Sequence, residues 1–164
     1  MQLKEIGKSA KGADLKNNMA KIFQKQEDLI REEIAMRSFA NKYNLLYQKL
    51  DEFDIDFAVY NGNRKLIAYA EVKGRNRNIK DAYPLPISIR KISKLHDKKI
   101  NPLIIWSCFD GIIYGKLNDL VGVVKYGGMK YEREGAVNDK ELLAFYDKQE
   151  LLKEEYIENF RNIR

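Results

Sequence analysis

The chain has 164 residues, enough for one domain with a hydrophobic core and too few for two comfortable ones. Hydrophobic residues make up 45% and charged residues 33%, with a formal net charge of +6, which excludes a disordered polyelectrolyte. No apolar stretch approaches the length of a membrane span, the first residues lack a signal-peptide core and Cys108 is the single cysteine, so a cytoplasmic protein without disulfides or a cysteine-built zinc site is expected.

Residues 1–17 read as a loose, basic arm. From Asn18 to Lys42 the spacing predicts a helix, with Ile22, Phe23, Leu29, Ile30, Ile34, Met36 and Ala40 on its apolar stripe. Two strands are expected next, YNLLYQKL and the alternating DEFDIDFAVY. Asn-Gly at 61–62 supplies a hairpin turn, because these residues tolerate positive φ, and KLIAYAEVK returns as the third strand. A basic loop with Pro84 and Pro86 leads into ISIRKISKLHDKK, expected as a helix. NPLIIWSCF and IIYGKL read as strands joined by Asp110-Gly111. VVKYGGMKYEREG suggests a further hairpin, and KELLAFYDKQELLKEEYIENF a charged helical end. The expected organisation is one mixed α/β domain, with a core over 18–117 and an extension over 118–164.

The charge is concentrated. Between Lys73 and Lys99 lie nine basic residues against two acids, a surplus larger than that of the whole chain. Such a patch suits a polyanion partner such as nucleic acid; a solvated lysine-rich helix is the plain alternative.

The patch begins where an apolar strand ends on Glu71-Val72-Lys73. Alternation puts Glu71 and Lys73 on one face with Tyr69 and Ile67, and Asp54 and Asp56 on one face of the preceding strand. In a hairpin the two pairs become neighbours, though the sequence leaves open whether Asp54 or Asp56 stands by Glu71. Converging carboxylates repel one another unless a cation lies among them. An oxygen-only set favours Mg²⁺ or Mn²⁺, and an adjacent lysine would orient the attacking water or neutralise phosphate charge. The plain alternative is a cross-strand salt bridge on a surface hairpin. Glu33 falls within the helical apolar stripe, with Glu32 nearer its flank left open as a rival, and a carboxylate there needs a partner: either this site or Arg37 at i+4. His96, Trp106, Ser107 and Cys108 carry no such signal.

FDIDFAVYNGNRKLIAYAEVKGR resembles the core of the PD-(D/E)XK nuclease superfamily, particularly its small phage-encoded members and the archaeal Holliday-junction resolvases. The resemblance covers roughly Gln26 to Leu117, with Asp56, Glu71 and Lys73 as the signature. It implies a restriction-endonuclease-like fold and Mg²⁺-dependent hydrolysis of DNA, single-stranded, duplex or branched. It implies further that Asp56 and Glu71 bind the metal with the Val72 carbonyl, that Glu33 assists directly or through water, and that Lys73 activates the attacking water. Ser88 and Lys91 would supply polar groups from the second helix, and Arg75, Arg77, Lys80, Arg90 and Lys94 would grip phosphates alongside them. The family's proline before the aspartate is Ile55 here. A homodimer would allow both strands of a duplex to be cut together.

Overall fold

A computed structural model describes residues 10–51, 55–100, 102–128 and 140–160, the side chains of 10–25 and of Gly128 aside. Asp54, residues 1–9 of the arm and residues 129–139 of the C-terminal hairpin lie outside them. The first helix, α1, runs Ala10–Tyr43, so it begins well inside the expected loose arm. Residues 10–17 are mostly Ala, Lys and Leu, good helix formers, and the single Gly12 does not interrupt them. The helix stops at Asn44, which takes φ 52°, while Leu45 N–H donates to Ala40 O at 2.9 Å. That closing bond satisfies a free carbonyl of the last turn, and asparagine tolerates the left-handed backbone it needs.

The strands follow as β1 (Leu46–Lys49), β2 (Phe57–Tyr60) and β3 (Leu66–Gly74). β4 (Leu85–Ser88) precedes the second helix, α2 (Ile89–Asp97). β5 (Pro102–Ser107), β6 (Gly111–Lys116), β7 (Val123–Gly128), β8 (Lys140–Tyr146) and β9 (Lys153–Tyr156) complete the described strands. Six strands form one mixed sheet in the order β1-β2-β3-β5-β6-β9, and β4-β8-β7 form a second, antiparallel sheet. Within the large sheet only β3 and β5 run parallel. A parallel pair needs a crossover, and the segment carrying α2 provides it. The turn between β2 and β3 falls at Gly62-Asn63, as expected, and is closed by Arg64 N–H donating to Asn61 O at 2.9 Å, but the positive φ, 60°, is at Arg64 and not at Gly62. The Asn61 side chain accepts from Asn63 and Lys65 N–H at 3.0 and 2.9 Å, which holds the turn in that shape.

Two cores lie on opposite faces of the large sheet. On one, Ile34, Met36 and Phe39 of α1 meet Phe57, Val72, Ile105 and Tyr114. On the other, Ile104, Trp106 and Ile113 meet Leu85, Ile87, Leu95 and Tyr146 from the small sheet and α2. Trp106 is fully buried and donates through Nε1 to the Pro86 carbonyl at 2.9 Å. Pro86 is tolerated because β4 is an edge strand. Gly111, at φ 153°, has no room for a side chain: a Cβ there would lie 2.0 Å from the Glu155 carbonyl oxygen. Among the described residues no helix is long and apolar enough to cross a membrane.

The expected C-terminal helix is absent. Residues 140–160 instead carry β8 and β9, linked by a turn that the Gln149 amide ties to both the N–H and carbonyl of Val121, at 3.0 Å each. The expected 123–135 hairpin is also corrected in part, because β7 pairs with β8 across the small sheet. The second helix starts two residues later than expected, since Ile87 and Ser88 belong to β4.

Candidate active site

The β2–β3 register sets Phe57 opposite Ala70. Asp56, one residue before β2, therefore stands beside Glu71, and its Oδ2 accepts the Val72 N–H at 2.8 Å. Glu71 is only 4% exposed, next to the wholly buried strand β5. Its Oε1 takes Lys91 Nζ from α2 at 2.7 Å, while its Oε2 is buried without a hydrogen-bond partner. The third acid comes from α1. Glu32 Oε2 holds Lys49 Nζ at 2.9 Å, and the same ammonium lies 3.5 Å from Asp56 Oδ1.

Glu32, Asp56, Glu71, Lys73 and Lys91 line one cavity of about 270 Å³. Asp28, Arg31, Gly74 and Ser107 line it as well. Burial pushes the Glu71 carboxyl up to about 7, the nearby Asp56 charge adds to the rise, and Lys91 offsets part of it. Burial and the Asp56 charge also raise Glu32, against the pull of Lys49. Three mutually repelling carboxylates in a partly dry cleft are costly to hold, and such arrangements concentrate at functional sites.

Glu33 is elsewhere. It accepts a hydrogen bond from the Tyr47 hydroxyl, whose pKa burial and this bond push up to about 12. The expected stripe counted Leu29 and Ile30 as core, yet they are 44% and 51% exposed, and among the described side chains of the helix burial begins at Ile34. Ile34, Met36 and Ala40 are buried as expected, and it is Glu32, with its neighbour Arg31 and with Asp28 one turn earlier, that lines the cavity. If the cavity carries out the metal-dependent DNA cleavage that the resemblance implies, replacing Glu32 by Gln is expected to lower it by about ten- to a hundredfold, while Glu33→Gln changes it less than about threefold. Steady-state cleavage of a labelled duplex by the two variants separates these roles.

The residues of the expected phosphate grip separate into inward-bonded and surface groups. Arg75 donates through Nε to the Ala82 carbonyl at 2.8 Å and through Nη2 to the Pro84 carbonyl at 3.4 Å, bracing the loop from inside. Ser88 is buried and donates to Glu141 Oε2 at 3.0 Å, so it faces the small sheet and not the cavity. Lys91 belongs to the carboxylate cluster. Arg77, Lys80 and Arg90 are exposed, and Lys94 is half-buried on α2. Lys49, Arg31 and Ser107 carried no signal in the sequence: Lys49 reaches the site because β1 pairs Lys49 with Phe57, and its Nζ sits 4.5 Å from that ring's centroid.

No family model, curated protein or solved structure matches the chain.

Proposed function

We propose that the chain is a metal-dependent nuclease of the PD-(D/E)XK kind, hydrolysing DNA phosphodiester bonds on a restriction-endonuclease-like core. The observation that carries this reading is Asp56, tied to the Val72 amide beside a buried Glu71 whose second oxygen has no partner, with Lys73 next on the same strand face.

The donors suit a hard divalent ion. Among the described residues no three His, Cys, Asp or Glu side chains are gathered closely enough to hold an ion as they stand. The carboxylates contact Lys49 and Lys91 instead. The all-oxygen chemistry and the unpartnered Glu71 oxygen nevertheless fit Mg²⁺, or Mn²⁺ in its place, with Asp56, Glu71 and Glu32 as the residues that would hold it. When bound, such an ion supplies Lewis-acid stabilisation of charge on the scissile phosphate.

The chain's own groups do the rest. Lys73 Nζ, exposed at the cavity, orients the attacking water and meets the growing negative charge. The Val72 N–H fixes the Asp56 carboxylate, and Lys91 fixes that of Glu71, so neither must reorganise as substrate arrives. Arg77, Lys80 and Arg90 provide exposed positive charge for the phosphate backbone. A homodimer would bring two such sites to a duplex.

A second reading has its own support. Because Asp56, Glu71 and Glu32 all have lysine contacts, the cluster is also compatible with a nucleic-acid-binding module that does not cut. Cleavage of plasmid and of labelled single-stranded, duplex and branched DNA, with Mg²⁺, Mn²⁺ or EDTA, tests the two. Metal-dependent cutting supports the nuclease; salt-sensitive binding without cutting under any metal supports the module.

A further inference from the structure

Arg31 and Ser107 each bring a buried donor to the cavity beyond Asp56 and Glu71, where Asp28 is the neighbouring carboxylate. Ser107 is 1% exposed, and its hydroxyl has no hydrogen-bond partner. Arg31 is 19% exposed, and its Nε–H is likewise buried and unpartnered. The rest of the guanidinium is aimed by neighbours: Nη1 donates to Asn76 Oδ1 at 3.0 Å and Nη2 lies 3.8 Å from Asp28 Oδ1. Both Arg31 and Ser107 line the cavity. Buried donors normally find acceptors, so two orphans on residues that line one cavity call for a ligand that brings them.

The sheet explains how they come together. The parallel register pairs Gly74 of β3 with Ser107 of β5. A Cβ at Gly74 would lie 2.6 Å from Arg31 Nη1, so the glycine makes room for the guanidinium beside the serine. Gly74 is three residues beyond Glu71, about 10 Å along an extended strand, and Lys73 stands between them. The cavity therefore has a carboxylate end and a donor end.

We infer that Arg31 and Ser107, in the gap left by Gly74, form a phosphate-binding subsite separate from the carboxylates. A guanidinium and a hydroxyl together offer donors to a compact anion rich in acceptor oxygens, and a phosphate group meets that need better than a planar carboxylate. On the nuclease reading, on which this use depends, the subsite holds a phosphate of the nucleic acid near the one attacked. That phosphate is either the terminal monoester of a strand or an internal diester.

The test begins with inorganic phosphate on metal-free, ¹⁵N-labelled protein in EDTA at constant ionic strength. The expected result is a saturable, millimolar shift of the Arg31 Nε–H resonance that acetate does not reproduce. Ser107→Ala and Gly74→Ala, the second displacing the guanidinium while keeping its charge, are each expected to weaken binding by about fivefold or more. An unmoved Arg31 resonance, or equal affinity in wild type and both variants, overturns the subsite.

Cleavage kinetics then identify the source. Arg31→Lys raising KM only for DNA with a 5′-phosphate assigns a terminal phosphate; raising it equally for 5′-hydroxyl DNA assigns an internal one. Phosphate binding in a protein that cuts no DNA keeps the subsite and removes the nuclease. DNA cleavage with no phosphate-induced shift does the reverse.

Discussion

Replacing Glu71 by Ala is expected to lower metal-dependent DNA cleavage by about three orders of magnitude or more, without loss of the fold. The side chain is central: it is buried, contacts Lys91 at 2.7 Å, and offers its unpartnered oxygen beside Asp56. Removing it takes away one of the acids that would hold the ion. It also releases Lys91, which is 29% exposed and can turn to solvent. Lys73→Ala is expected to cost about a hundred- to a thousandfold in kcat, the size of effect seen when one donor to transition-state charge is lost. Because Lys73 is exposed, the loss is expected in rate and not in stability. Single-turnover cleavage of a labelled duplex, beside far-ultraviolet circular dichroism and DNA binding in EDTA, provides the check. Both variants cutting at the wild-type rate would remove the proposed chemistry from this cavity.

The strands of the site were legible in the sequence because they obey alternation. Glu71 and Lys73 fall on one face of β3 and Val72 on the other, and the Asn61–Lys65 turn delivers Asp56 to Glu71. The buried strands β5 and β6 were legible for the simpler reason that they are almost wholly apolar. Helix orientation was not. Leu29 and Ile30 look like core but are exposed, and among the described side chains of α1 the apolar residues meet the sheet from Ile34 onward. A shift of one residue turned the expected acid from Glu32 to Glu33.

The C-terminal segment misled for a different reason. Its Glu, Lys and Leu residues favour a helix locally. Pairing decides otherwise, since β8 joins β4 to β7 and β9 closes the edge of β6. The charges that suggested a solvated helix face have separate partners: Glu154 takes Lys148 at 3.0 Å and Tyr83 at 2.9 Å, and Glu155 takes Lys42 at 3.0 Å. None of these contacts has a spacing that a sequence displays. The cationic residues show the same limit, because composition marks Arg75, Lys91 and Arg90 alike. Only the fold makes one a brace, one a carboxylate partner and one a free surface charge.

The metal-free protein is expected to lose stability as pH rises from about 4.5 to beyond about 7. Glu71 has a folded-state pKa raised from 4.5 to about 7, so within that window the folded protein retains a proton the unfolded chain has released. Stability then falls with increasing pH, the reverse of the usual salt-bridged carboxylate, by about 3 kcal/mol from this residue. Glu32, raised by burial and by Asp56, acts in the same direction. Urea unfolding in EDTA at about pH 5 and about pH 8 measures the difference, and Glu71→Gln is expected to remove most of it. Wild-type protein as stable at the higher pH as at the lower would show that Glu71 ionises freely in its cleft. Saturating Mg²⁺ is expected to flatten the wild-type profile and not that of Glu71→Gln, since an ion that binds the ionised carboxylates stabilises the folded state most where the proton has left. On the proposed metal site, the free energy that destabilises the cluster at neutral pH is the free energy that a bound cation would recover.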